Sequence, residues 1–120
     1  MPVKIKRIYE EKEKSDGVRI LVDRVWPRGV SKEDAHVDEW VKEVGPSKEL
    51  RQWFDHDTDK YDDFKVKYKK ELKKNEEQKE ALEKLKQLTK EHDKKVTLVF
   101  AAKDEKHNQA AVIKEILDHQ

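Results

Sequence analysis

A chain of 120 residues is long enough for one modest hydrophobic core and too short for two. Charged residues make up 46% and apolar residues 34%, but 28 basic residues offset 27 acidic ones, and aromatic residues recur among regularly spaced apolar ones, which excludes a disordered, self-repelling chain. The net charge of +1 excludes a global electrostatic pull toward nucleic acid or an anionic membrane, and the absence of cysteine excludes disulfides, thiol chemistry and Cys-based metal sites.

Residues Val3 to Tyr9 read as a first strand, followed by a turn at Ser15-Asp16-Gly17. Val18 to Val25 is rich in β-branched residues and reads as a strand with a buried centre; Pro27 ends it, and Gly29 allows a sharp change of direction. Ser31 with Asp34 resembles a capping box. Val37, Trp40, Val41 and Val44 then follow at helical spacing, predicting a helix that Gly45-Pro46 stops. Ser47 is placed to cap a short helix carrying Leu50, Trp53 and Phe54, which Asp55-His56-Asp57 ends. Tyr61, Phe64, Tyr68 and Leu72 mark a third helix. Asn75 with Gln78 caps a fourth, carrying Leu82, Leu85 and Leu88. Val96 to Ala101 is the clearest buried strand, and the loop from Ala102 to Glu105 leads into a last helix with Ala110, Ile113, Ile116 and Leu117 on one side.

Buried strands separated by helices predict a single small α/β domain over residues 1–120, with a short, mainly parallel sheet covered by helices. The first connection is too short for a helical crossover. Either the first pair is antiparallel, making the sheet mixed, or the first strand is displaced. Neither a signal peptide nor an apolar run of spanning length is present, so a cytoplasmic protein without a membrane partner is expected.

In open parallel sheets, ligands bind beyond the carboxyl ends of the strands. Two strands here end in unusual sequences, Asp23 to Gly29 and Lys103 to Asn108, which parallel strands would bring to one edge. Arg24, Arg28, Lys103, Asp104, His107 and Asn108 would then share a rim. Only five of the 28 basic residues are arginine, and three of them lie in the aromatic-rich segments, which suits either bidentate anion binding or structural ion pairs. Trp26 is read as a core plug or a stacking plate, Asp23 as a partner of Arg24 or of a neighbouring strand end or else a catalytic group, and Asp104 as the cap of the last helix. His107 has no obvious acid partner in sequence. In Arg51-Gln-Trp-Phe-Asp-His-Asp57, the two flanking carboxylates could favour protonated His56, while adjacent Asp-His-Asp side chains diverge too far on a helix to predict a metal site. Lys65 to Lys74 holds six lysines and one glutamate. That run is either a phosphate-tracking face or a solvated face balanced by Glu76, Glu77, Glu80 and Glu83. No phosphate-binding loop, dinucleotide fingerprint, nucleophile elbow or catalytic Cys–His pair occurs, and no cofactor is expected.

Four ordered segments, Lys6-Arg7-Ile8-Tyr9, Val22 to Lys32, Pro46 to Asp57 and Ala101 to Asn108, resemble the bacterial YeaO-like family, within the larger domain-of-unknown-function family 488. The resemblance implies a compact α/β sandwich and no particular activity. Its motif positions fall on Asp23, Arg24, Trp26, Pro27, Arg28, Gly29, Arg51, Trp53, Phe54, His56, Lys103, Asp104, His107 and Asn108.

The expected site binds a small anionic or phosphate-containing ligand, with Asp23, Arg24, Trp26, Arg28, Arg51, Lys103 and Asn108 as binding residues. In a hydrolytic version, His56, Asp104 or His107 would handle protons. The alternatives are a nucleic-acid-associated module using the same arginines and the lysine-rich face, and a structural or protein-interaction domain whose motif residues interlock.

Overall fold

The computed structural model describes residues 3–119. Strands β1 (Lys4–Arg7), β2 (Val18–Leu21), β3 (Glu39–Trp40) and β4 (Val96–Phe100) form one sheet in the order β1-β4-β2-β3, and every neighbouring pair runs parallel. Helices α1 (Lys32–Ala35), α2 (Lys48–Phe54), α3 (Tyr61–Lys74), α4 (Glu76–Glu91) and α5 (Gln109–Asp118) complete the domain. Of the two arrangements left open for the first strand, displacement is the one adopted. Because β4 lies between β1 and β2, their connection steps over one strand through a tight 3-10 turn at Lys14–Asp16 and needs no helix. Gly17 follows that turn at φ +65, where a Cβ would lie 2.2 Å from the Lys95 carbonyl oxygen, so only glycine fits.

The strand residues divide between the two faces of the sheet with period 2. Val96, Leu98 and Phe100 of β4, with Ile20 and Val22, join the larger core, which α2, α3, α4 and α5 supply with Phe54, Phe64, Tyr68, Leu85, Ile113 and Leu117. Leu21 and Val99 face a smaller core with Ile8 and Ala35, against which Trp26, Val30 and Val37 pack. Cover on both faces explains why every residue of β4 is buried.

The helix expected through Val37 to Val44 is not formed. His36 takes the left-handed conformation at φ 51 and ends α1 after four residues. The chain then runs alongside β2, with Asp38 and Val41 N–H groups donating to the Arg19 and Leu21 carbonyls at 2.8 and 3.0 Å. The apolar residues of this stretch are mostly β-branched valines, and ladder bonds to β2 satisfy backbone groups that an isolated helix here would leave exposed. The strands are also shorter than expected, β1 ending at Arg7 and β2 at Leu21.

Three expected caps form: Ser31, Ser47 and Asn75 accept from the N–H groups of Asp34, Leu50 and Gln78, each at 3.1 Å. The cap of α5 is Asn108, which accepts from Ala111 N–H at 2.9 Å, and not Asp104. Asp104 lies too far upstream to reach that helix and closes a turn within the loop. Tyr61, Phe64, Tyr68 and Leu72 are all buried.

In α3, Lys65 and Lys69 pair with Glu115 of α5, while Glu71 turns inward to accept from Ser47 and Gln78. Among the described residues no ion pair links these lysines to the acids of α4. Inside the smaller layer Arg19 is 1% exposed and Asp16 2%, and they pair at 2.7 Å; Lys6 reaches the same carboxylate at 3.1 Å. Among the described residues no helix is long and apolar enough to cross a membrane.

Candidate functional site

The parallel order sets the loops after β2 and β4 side by side at the carboxyl edge of the sheet. A cavity of about 760 Å³ opens between them and the end of α2. Nine of the ten residues singled out from sequence line it: Asp23, Arg24, Trp26, Arg51, His56, Lys103, Asp104, His107 and Asn108. Arg28 does not. It lies on the exposed outer side of its turn, where its carbonyl accepts from the Tyr9 hydroxyl at 3.2 Å.

Asp23 joins the two loops. Its Oδ2 accepts from Ala101 N–H at 2.9 Å, and its Oδ1 accepts from the Gln109 side-chain amide. Burial pushes the carboxyl up to about 6, against the opposing pull of those two hydrogen bonds and of the Arg51 charge. Each oxygen keeps a second lone pair, so Asp23 can still accept from a ligand. Of its expected pairings, the one with a neighbouring strand end is made through Ala101, while an ion pair with Arg24 is absent among the described residues.

The arginines separate by what their forks hold. Arg24 donates through Nε to the Gly45 carbonyl at 2.9 Å and through a terminal nitrogen to the Glu43 carbonyl, bracing the segment that leads into α2. Arg7 does the same for the β4 loop, donating to the Ala102 and Ala101 carbonyls at 3.0 and 3.3 Å while lying over the Tyr9 ring. Among the described residues, Arg51 and Lys103 have no side-chain hydrogen bond or ion pair, and both are exposed at the cavity edge.

Trp26 packs against the smaller core, where the core role was expected, and it also lines the cavity. Its indole N–H donates to the Val30 carbonyl at 2.7 Å, and its ring and that of Trp40 meet in a T-shaped arrangement with centroids 5.4 Å apart, leaving it half-buried. Trp40 is itself fixed by a bond from its indole N–H to the Asp23 carbonyl at 2.7 Å. Asp55 and His56 leave α2 in consecutive left-handed conformations, φ 45 and 55, conformations that non-glycine residues rarely adopt. They are therefore not on a helix, and Asp57 is occupied as the cap of the next turn, accepting from Asp59 N–H at 3.0 Å.

The loop after β4 is organised by Asp104. Its Oδ1 accepts from Lys106 and His107 N–H, each at 2.9 Å, and its Oδ2 meets His107 Nδ1 at 2.9 Å. The backbone bonds from His107 and Lys106 hold its carboxyl below the usual range. His107 thus sits in the loop ahead of α5 and has an acid partner that reading along the sequence did not reveal. Its ring meets the Tyr61 ring edge-on at 5.1 Å. Burial pushes the Tyr61 hydroxyl up to about 12, so it stays protonated and donates to the Asn108 carbonyl. Asn108 is 2% exposed and committed twice, to Ala111 N–H and to the Asp104 carbonyl, so it builds the wall and leaves little for a ligand.

Sequence reasoning missed Gln109, Pro46 and Phe64 as lining residues. Gln109 follows Asn108 directly, but nothing in the local pattern shows that it reaches Asp23. Pro46 read as a helix stop and Phe64 as core. Among the described residues no three His, Asp or Glu side chains are grouped to hold a metal ion.

The chain is similar to bacterial proteins over nearly its whole length. A protein of Mycobacterium tuberculosis is 40% identical over 116 residues, covering 97% of this chain and 93% of the relative. The Escherichia coli protein YeaO is 40% identical over 117 residues, covering 98% and 97%. No solved structure matches significantly. A family model described as the inactive DUF488-N3 subclade matches residues 2–120, and the chain belongs to that family.

Proposed function

We propose that the cavity is a binding site for a small anionic ligand, one bearing a phosphate or carboxylate, and that the protein holds this ligand without transforming it. The observation that carries the reading is the pair Arg51 and Lys103. Both line the cavity, and neither has a carboxylate within 4.0 Å among the described residues, in a chain where acids are almost as numerous as bases. Two unneutralised cations at the mouth of a largely apolar cavity attract an anion, and the guanidinium of Arg51 offers the fork that carboxylate and phosphate match.

Binding without turnover is favoured on two counts. Among the described residues no Ser, Thr, Cys or Tyr lines the cavity, so they offer it no hydroxyl or thiol nucleophile. The family model that matches the chain also carries the word inactive in its description. The Asp104–His107 pair has the geometry of an oriented base, and here it closes the loop that forms the wall.

Titration of the protein with inorganic phosphate, acetate and phosphate monoesters, followed by amide shifts, tests the proposal. Shifts should centre on Arg51, Lys103 and Trp26, and Arg51→Ala with Lys103→Ala should abolish them. Saturation by a neutral analogue as readily as by the anion would overturn it, and release of phosphate from a monoester would overturn the non-catalytic part.

A further inference from the structure

The anion reading leaves most of the cavity unexplained. By scaling from the ~30 Å³ that a water occupies, a bare phosphate fills roughly 100 Å³. The cavity holds about 760 Å³, in the range that encloses an organic ligand. Its walls supply what such a ligand needs. Trp26 lines the cavity while its indole N–H is tied to the Val30 carbonyl and its ring forms a T-shaped pair with Trp40, so the ring is held in place for an occupant. Phe54 and Phe64, stacked with centroids 4.3 Å apart, and Pro46 add an apolar lining.

The cavity lining also carries both signs of charge. Arg51 and Lys103 supply positive charge, while the carboxylate of Asp23, held by Ala101 N–H and Gln109, supplies a fixed acceptor. An anion placed against Asp23 would meet a like charge. The anionic end of the occupant must therefore lie at Arg51 and Lys103, and whatever lies over Asp23 must be neutral or positive and donate a hydrogen bond.

We infer that the ligand is an aromatic or heteroaromatic anion that also carries an N–H or O–H donor: anion at Arg51 and Lys103, ring on Trp26, donor on Asp23. This rests on the anion reading above and narrows it to one chemical class. Aryl phosphates, aryl carboxylates and nucleotide-like compounds share that chemistry, and a titration series separates its parts.

The series is inorganic phosphate, phenyl phosphate, 4-aminophenyl phosphate and 4-aminobenzyl alcohol, titrated into the wild type at neutral pH. Phenyl phosphate should bind at least about tenfold tighter than phosphate, from ring burial and stacking. The amino group should add about tenfold more, as a donor to a charged acceptor. Trp26→Ala should erase the first increment and Asp23→Asn most of the second. The wild-type series decides the matter even if a variant fails to fold. Phosphate binding as tightly as both aryl phosphates overturns this inference and leaves the anion reading standing. An amino group that adds nothing overturns the role given to Asp23. If 4-aminobenzyl alcohol binds as tightly as 4-aminophenyl phosphate, or if nothing in the series binds, the anion reading fails and this inference with it.

Discussion

Asp23 Oδ2 accepts a hydrogen bond from the N–H of Ala101 at 2.9 Å, which locks the loop after β2 to the loop after β4. The bond exists because β2 and β4 are neighbours in parallel register, with Leu21 opposite Val99, so residues two places beyond each come within reach. A side chain two residues past the end of one strand thereby satisfies a backbone donor just past the end of the next. That donor would otherwise be left without a partner at the cavity wall.

This carboxylate should make stability depend on pH in an unusual direction. Its value in the folded protein is about 6, against 3.8 for the ordinary group, because burial disfavours the charge. The folded state therefore binds the proton more tightly. The contribution to stability is fully present below pH 3.8 and is lost as pH rises through about 6. A shift of about two units corresponds to about 3 kcal/mol. Asn at this position can keep the bond to Ala101 and, once the Gln109 amide turns over, a bond to Gln109 as well. Denaturant unfolding of wild type and Asp23→Asn from about pH 4 to 7 should show the variant gaining most of that, roughly 2 kcal/mol, relative to wild type across the window. A constant difference would show that the carboxyl titrates at its ordinary value.

Gly17 and Gly29 both have positive φ, +65 and +76, yet they should respond differently to alanine. At Gly29 a Cβ meets nothing within 4 Å, so Gly29→Ala carries only backbone strain, about 1 kcal/mol. At Gly17 the same Cβ lies 2.2 Å from the Lys95 carbonyl oxygen, which also accepts from Val18 N–H at 3.0 Å. Relieving that overlap means parting β2 from the entry to β4. Gly17→Ala should cost at least twice as much as Gly29→Ala in thermal or denaturant unfolding.

The parts of the fold that sequence made legible are those governed by short-range rules. Ser47 and Asn75 cap where they should because a cap needs only its own side chain and the next turn. The face of α3 is read correctly from Tyr61, Phe64, Tyr68 and Leu72 for the same reason. Trp40 shows the limit of such rules: its spacing is helical, but pairing with Leu21 across the sheet outweighs local periodicity. The candidate site followed the same division. Strand polarity was enough to bring Asp23, Lys103 and His107 to one cavity. It could not reveal that Arg24 spends its fork on the carbonyl of Gly45, that Gln109 reaches Asp23, or that Arg28 points away, because each depends on how the loops close in three dimensions.

The buried pair Arg19–Asp16 belongs to the smaller layer, away from the cavity, and should matter for folding alone. Both residues are buried, and Asp16 also receives Lys6 and the backbone N–H of Glu13. Burial raises its carboxyl, but the Glu13, Arg19 and Lys6 hydrogen bonds outweigh that and hold it below the usual range. Asp16→Ala leaves the Arg19 guanidinium buried without its carboxylate and should cost about 3–5 kcal/mol. The double variant Asp16→Ala, Arg19→Met removes the stranded charge and should recover much of that loss, with ligand binding unchanged in both proteins wherever they are folded. A double variant no more stable than Asp16→Ala would show that the pair contributes through packing and not through charge.

Three arginines of the motif segments allow stability to be separated from binding. Arg24 donates to two backbone carbonyls and packs against Gly45, where a Cβ would meet its Cγ at 2.7 Å. Arg24→Ala removes the side-chain donor to the Glu43 carbonyl and leaves the Gly45 carbonyl with the Gln78 amide alone, and should lower stability by about 1–3 kcal/mol. The Arg51 side chain has no hydrogen-bond or ion-pair partner among the described residues, so Arg51→Ala should leave the melting temperature nearly unchanged while weakening anion binding at least about tenfold. Arg28 is exposed and outside the cavity, so Arg28→Ala should alter neither. Melting curves and phosphate-monoester titrations on the three variants check this ordering. Loss of binding in Arg28→Ala with retention in Arg51→Ala would move the anion to the outer side of the Pro27–Gly29 turn, where the Tyr9 hydroxyl meets the Arg28 carbonyl.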